Sequence, residues 1–219
     1  MRSEFVWLFL IVGGFFLGGI MFSRMIPKLV LGKDICKIGA DHNPGAANVF
    51  SSCGVVVGLI CLFFDMLKGF LPVYLALRMT DIHNLLFAAV LVAPVLGHAI
   101  APFNHFHGGK CIATAFGEMA ALLPVTRVGF VLAGLYILFS TVVKINPIRI
   151  RSILTFGLVA CVSGIWLWIN GYAAVSLGCI LISLIAILRH TKWFSVVEES
   201  ENVSGNENDD EDMTVKNDM

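Results

Sequence analysis

Seven stretches of this chain, 5–22, 53–77, 84–103, 112–126, 128–143, 153–169 and 173–188, are apolar and nearly free of charge. A helix needs about 20 residues, with a range of roughly 17–25, to cross the hydrocarbon of a bilayer. Most of the seven reach that length once their flanks are counted. Composition agrees: 58% of residues are hydrophobic and 14% are charged. A water-soluble domain carries about 25% charged residues. The chain is therefore expected to be an all-α integral membrane protein with one membrane domain, 1–197.

The fourth stretch is the weak one. Its strictly apolar part, Ile112 to Leu123, includes Glu118 and would rise only about 18 Å at 1.5 Å per residue. It would serve as a re-entrant segment if it did not cross. Loop charge arbitrates, because cytoplasmic loops are enriched in Lys and Arg. With seven crossings, one side receives Arg24, Lys28, Lys33, Lys37, Lys110, Lys144, Arg149, Arg151, Arg189 and Lys192. The other side receives Arg2, Arg78 and Arg127. Without the fourth crossing, the 144–151 cluster would change sides and spoil the bias. The expectation is seven transmembrane helices, N-terminus outside and C-terminus cytoplasmic. The first run reads as a retained helix rather than a cleaved signal, since Arg24 and Lys28 follow it and no clean cleavage site does.

The net charge of +0 conceals a segregation. Nine of the 15 acidic residues lie between Glu198 and Asp218. That polar segment, 198–219, lacks aromatics and reads as a disordered cytoplasmic tail. The six cysteines include no CxxC pair and read as small buried hydrophobes. Gly14 with Gly18, and Gly54 with Gly58, have the small-xxx-small spacing that lets helices approach closely in lipid.

Two polar stretches fall on the basic side. In "GADHNPGAAN", 39–48, Asn43 suits an N-cap and Pro44 the first helical position. Gly45, Ala46 and Ala47 leave first-turn amides bare, which is an anion site matched to phosphate. A tight helix connection would show the same pattern. In "GHAIAPFNHFHGGKCIATAFG", 97–117, Gly108-Gly109-Lys110 precedes a second helix. The glycines admit close backbone approach and Lys110 supplies a point charge. The Walker spacing is absent. Two such cradles on one face suggest phosphorylated substrates beside a lipid-embedded site.

His98, His105 and His107 would have to recruit further ligands to hold a metal, and no metal or cofactor is expected. Asp65 and Lys68 share a helix face at i, i+3. They read either as an ion pair that fixes packing or as the wall of a polar cavity. Glu118 is expected to point inward. No GxSxG elbow and no HxxxxD signature occurs, so nothing predicts a covalent acyl-enzyme.

Together "NPGAAN", "DMLKGFLPV", "GHAIAPFNHFHGGKCIATAFG" and the late "LRH" resemble the bacterial acyl-phosphate:glycerol-3-phosphate acyltransferases, the PlsY type. The resemblance runs in order from about 18 to 190. It implies a seven-helix inner-membrane enzyme of phospholipid synthesis with its active site on the cytoplasmic face. It also implies the reaction: a fatty acyl group passes from acyl phosphate to a hydroxyl of glycerol 3-phosphate, giving lysophosphatidic acid and phosphate. Carried over by position, Gly39, Asn43, Pro44, Gly45 and Asn48 would form one phosphate loop. Gly108, Gly109, Lys110 and Thr114 would form the other, with His98, Lys110 and His190 catalytic. Partners would be the two phosphorylated substrates and membrane lipid, with no nucleic acid.

The chain departs from the family pattern at Gly19, Ala40, Asp41, His42, Ala47, Ser51, His107, Cys111, Asn146, Pro147 and Trp193. These changes point to a related polyol phosphate as a possible acceptor, with Arg149, Arg151 and Lys192 as replacement cations. The alternatives are a catalytically weakened relative that binds lipid or a partner protein, and a small-solute transporter built on Asp65, Lys68 and Glu118.

Overall fold

A computed structural model describes residues 2–40 and 42–191. The acidic segment 198–219 lies outside the described residues, as do Asp41, Lys192 and Trp193. Among the described residues there are ten α-helices and no strand.

Each apolar run contains one helix. The first gives α1 (Arg2–Gly19) and the second α5 (Val55–Met79). Between them the polar connection folds into three short helices, α2 (Phe22–Leu31), α3 (Ile35–Ile38) and α4 (Ala46–Cys53). The remaining runs give α6 (Leu86–Ile100), α7 (Ile112–Ala121), α8 (Val128–Ile137), α9 (Ile148–Ile169) and α10 (Ala173–Leu188). A π-helical turn, Leu138–Val142, extends α8.

By length and composition, α5 and α9 can each cross a membrane, and α1 with α2 forms a third candidate span bent by 45°. The other apolar helices are shorter. At 10 residues, α7 is among the shortest, as the weak fourth run foreshadowed.

The surface shows what surrounds the protein. Phe5, Leu8, Phe9, Val55, Val56, Phe63, Ile165, Trp168 and Ile169 are all exposed. Soluble monomers rarely show contiguous apolar surface on this scale. Polar groups instead lie inside: Ser152, Thr155, Ser163, Ser176 and Ser183 are buried. Several bond helix carbonyls, as Ser163 does with Val159 (2.6 Å) and Thr155 with Arg151 (2.8 Å). Glu118 is buried on α7, where its Oε1 accepts the Val95 N–H of α6 at 3.1 Å.

Glycines set the closest helix contacts. A Cβ on Gly18 of α1 would collide with the Pro94 backbone of α6, and one on Gly97 would meet the Phe15 carbonyl. Likewise Gly69 of α5 abuts the Thr114 carbonyl of α7, and Gly117 abuts the Met66 carbonyl. The Gly14/Gly18 pair thus seats α1 on α6. The Gly54/Gly58 pair does not work this way. Gly54 has open space around it and a φ of 87° at the break between α4 and α5, while Gly58 makes room for the Phe50 ring. That break requires a backbone conformation few L-residues adopt, so the spacing has a different cause from interhelical packing.

Candidate functional site

The first polar stretch enters α4 two residues later than its capping pattern suggests. The N-cap is Gly45, with φ −115° and ψ 155°, so Asn43 and Pro44 precede the helix. The reason lies in what binds the Asn43 carbonyl. It accepts the Gly45 N–H and the Asn48 side-chain Nδ2, each at 2.8 Å. Asn48 therefore reaches back from the first turn of α4 to fix the loop. A Cβ at Gly39 would lie 2.6 Å from Asn48 Nδ2, so a residue larger than glycine would displace that amide.

The second stretch folds back over the end of α6. The Gly109 N–H donates to the His98 carbonyl at 3.2 Å. A Cβ on Gly108 would run into the Ala99 carbonyl and one on Gly109 into the His98 imidazole. In this structure both glycines are required by the protein's own packing; the space beside them is filled by α6. From the end of α10, Arg189 donates to the carbonyls of Gly108 and Gly109, the latter at 3.1 Å. This residue stands next to His190 in "LRH", but its role depends on backbone acceptors that no side-chain pattern reveals. α7 then begins at Ile112, with Cys111 as N-cap at φ 63°.

Both stretches meet at one cavity of about 360 Å³. Asn43, Gly45, Asp65, His98 and Lys110 supply its polar wall. Phe50, Leu62, Met66, Ile112 and Phe116 supply its apolar wall. The other residues singled out from sequence, Gly39, Pro44, Asn48, Lys68, Gly108, Gly109, Thr114 and His190, are not among its lining. Thr114 is fully buried between α7 and α5. The three histidines do not converge: His98 faces this cavity, His105 lines a separate cleft beside α2, and His107 Nδ1 donates to the His105 carbonyl at 2.7 Å.

Asp65 would oppose an anion if its charge were open. It is not. Lys68 Nζ lies 2.7 Å from Asp65 Oδ1, and the Ser23 hydroxyl donates to Oδ2. Lys68 itself also donates to the Ile20 carbonyl at 2.6 Å, at the break between α1 and α2. Lys68 thus ties helices together, while Asp65 borders the cavity.

His190 is buried just beyond α10. Its Nδ1–H donates to the Ala186 carbonyl at 2.7 Å, which leaves Nε2 as the basic nitrogen without a hydrogen-bond partner among the described residues. Burial holds the imidazole below the usual histidine range, and the charges of Lys110, Arg189 and Arg149 act the same way, against the Ala186 hydrogen bond. Lys110 and Arg149 are thus electrostatic neighbours of His190. Arg151 is held elsewhere, over the Tyr136 ring.

A cavity with one polar and one apolar wall, entered by two small-residue loops, suits a phosphorylated amphiphile. Comparison with known proteins decides between the readings. The family model for glycerol-3-phosphate acyltransferase matches residues 8–197. The chain belongs to the glycerol-3-phosphate acyltransferase family. It is 42% identical over 135 residues to the glycerol-3-phosphate acyltransferase of Thermotoga petrophila, covering 62% of this chain and 67% of that one. Against the enzyme of Syntrophotalea carbinolica it is 30% identical over 182 residues, covering 83% and 88%. The fold matches the crystal structure of PlsY (YgiH), an integral membrane glycerol 3-phosphate acyltransferase, in its glycerol 3-phosphate form. That match has a TM-score of 0.73 at 29% identity over 89% of this chain and 92% of that one. The lysophosphatidic acid form of the same protein matches with a TM-score of 0.72.

This acyltransferase is thus an integral membrane enzyme of the PlsY type. Neither the transporter nor the weakened lipid-binding relative is favoured.

Proposed function

We propose that the chain transfers a fatty acyl group from acyl phosphate to a hydroxyl of glycerol 3-phosphate, or of a closely related polyol phosphate, at the cavity between α4, α5 and α7. One observation carries this reading. Asn43 and Gly45 on one side and Lys110 on the other, distant in sequence, share a cavity whose opposite wall is Phe50, Leu62, Met66 and Phe116. An acyl phosphate has the same division, an anionic head on an alkyl chain. The basic loop side is taken as cytoplasmic, with seven crossings, the N-terminus outside, and the bacterial inner membrane as the location.

In this reading the acceptor hydroxyl attacks the acyl carbonyl carbon directly. The new ester C–O bond forms as the carbonyl-to-phosphate C–O bond breaks, and phosphate leaves with the electron pair. Acyl phosphate is already activated, so the protein's share is positioning and charge stabilisation. Lys110 supplies the positive charge, the first-turn N–H groups of Ala46 and Ala47 at the start of α4 supply donors, and His98 closes the polar wall. The hydroxyl proton passes to His190 or to the departing phosphate. The test is phosphate release by the detergent-purified chain supplied with acyl phosphate and glycerol 3-phosphate. Release that requires both substrates is expected. No release with glycerol 3-phosphate or any related polyol phosphate overturns the reading.

A pH dependence separates the two proton acceptors. Because His190 titrates below 6.5, it is neutral through the neutral range. If it takes the proton, the acid limb of kcat/KM falls below pH 6.5 and disappears in His190→Asn. An unchanged limb in the variant assigns the proton to phosphate. The same shift weakens folding in acid: the unfolded imidazole gains its proton first, so stability is full above about pH 6.5 and declines below it.

A further inference from the structure

Arg24 lies outside the cavity lining, yet it touches the supports of both loops. Its Nε and Nη2 donate to the two Asp34 carboxylate oxygens at 3.1 and 2.9 Å. Its Nη1 donates to Asn104 Oδ1. Both partners are committed to a loop. Asp34 is the N-cap of α3, accepting the Cys36 N–H at 3.1 Å. From α3 the chain passes to Gly39 and His42, whose Nδ1 donates to the Cys36 carbonyl at 2.8 Å, and then to Asn43. On the other side, Asn104 Nδ2 donates to the His107 carbonyl at 2.6 Å, and the His107 N–H returns to the Asn104 carbonyl at 3.0 Å. His107 leads directly into Gly108-Gly109-Lys110.

We propose that Arg24 is a positioning residue that sets the spacing of the two loops across the cavity. The two arms of its guanidinium are planar and fixed relative to each other. A carboxylate held by one edge and an amide oxygen held by the other are therefore fixed in mutual orientation. Asp34 stays ionised for this task, since the Arg24 hydrogen bonds hold its carboxyl below the usual carboxylate range, with burial opposing. The coupling is independent of which substrate fills the cavity; its kinetic consequence rests on the function proposed above.

Two measurements on the full-length chain in nanodiscs test it. In hydrogen exchange, Arg24→Gln is expected to raise amide exchange at least tenfold both in 36–48 and in 104–110. A rise in one segment alone, or in neither, overturns the proposal. In steady-state kinetics, KM for the phosphorylated acceptor is expected to rise at least tenfold with kcat held within threefold, because bound substrate restores the spacing. Arg24→Lys behaves like Arg24→Gln, as an ammonium offers no rigid fork. If Arg24→Gln does not fold, Arg24→Lys carries both measurements. A wild-type chain without transferase activity sinks the functional reading, while the exchange result still decides the coupling.

Discussion

Lys110→Ala is expected to lower kcat/KM by about 10²- to 10³-fold, the loss seen when one preorganised charge-stabilising donor is removed from a site. The argument starts from position. Lys110 is half-buried at the end of a loop pinned on three sides. The Gly109 N–H holds the His98 carbonyl, Arg189 holds the Gly108 and Gly109 carbonyls, and Asn104 holds the His107 carbonyl. The ammonium is therefore delivered to the cavity from a fixed backbone, so little reorganisation is needed when charge develops on the departing phosphate. Lys110→Arg keeps the charge but places a broader, planar group in a cavity of about 360 Å³. It is expected to recover only part of the activity. Because the lysine projects from a loop held by backbone bonds, the unfolding midpoint should stay within a few degrees. Phosphate release and thermal unfolding, measured on the same preparations, check this. Activity above one third of wild type in Lys110→Ala would remove Lys110 from the reaction.

Part of this site was legible in the sequence. The apolar runs located every long helix, because the requirement to bury about 20 residues in lipid overrides local detail. The two loop stretches were also found, and the structure brings Asn43, Gly45, His98 and Lys110 to one cavity. The rest shares a physical cause: a local pattern does not reveal which backbone lies opposite it. Asn43-Pro44 has the composition of a helix start, but the Asn43 carbonyl is occupied by Gly45 and Asn48, which defers the helix to Ala46. A side chain at Gly108 or Gly109 would meet the Ala99 carbonyl or the His98 imidazole, a constraint that comes from α6 and not from the loop's own pattern. Arg189 and Arg24 act on carbonyls and on an amide oxygen far away in the chain, and no spacing rule connects them. Cys111 shows the opposite case. The backbone there is left-handed, φ 63°, a conformation that favours glycine, although the residue is a cysteine. Its Sγ lies 3.6 Å from the carbonyls of Val95 and Gly109, which helps to hold a conformation that a non-glycine residue otherwise adopts at a cost.

Lys68→Met is expected to destabilise the protein more than any other single change considered, by about 3–5 kcal/mol. Asp65 and Lys68 are both essentially inaccessible, with 1% exposure each. Moving the pair from water was costly, and their 2.7 Å contact with the Ser23 and Ile20 hydrogen bonds offsets that cost. Removing the ammonium leaves a carboxylate in a helix interior with one hydroxyl donor. It also strips the Ile20 carbonyl of its partner at the point where α1 gives way to α2, so the bend loses its support. For a chain of this length the loss corresponds to roughly 6–20 °C in the unfolding midpoint. Asp65→Leu with Lys68→Met removes both charges and nearly preserves volume, so it is expected to recover at least half of the lost stability. Activity should not recover with it, because Asp65 borders the cavity while Lys68 does not. Thermal unfolding in detergent, beside phosphate release, distinguishes the outcomes. A double variant less stable than Lys68→Met would show that the charges act separately, and one that regains stability and activity together would confine Asp65 to packing.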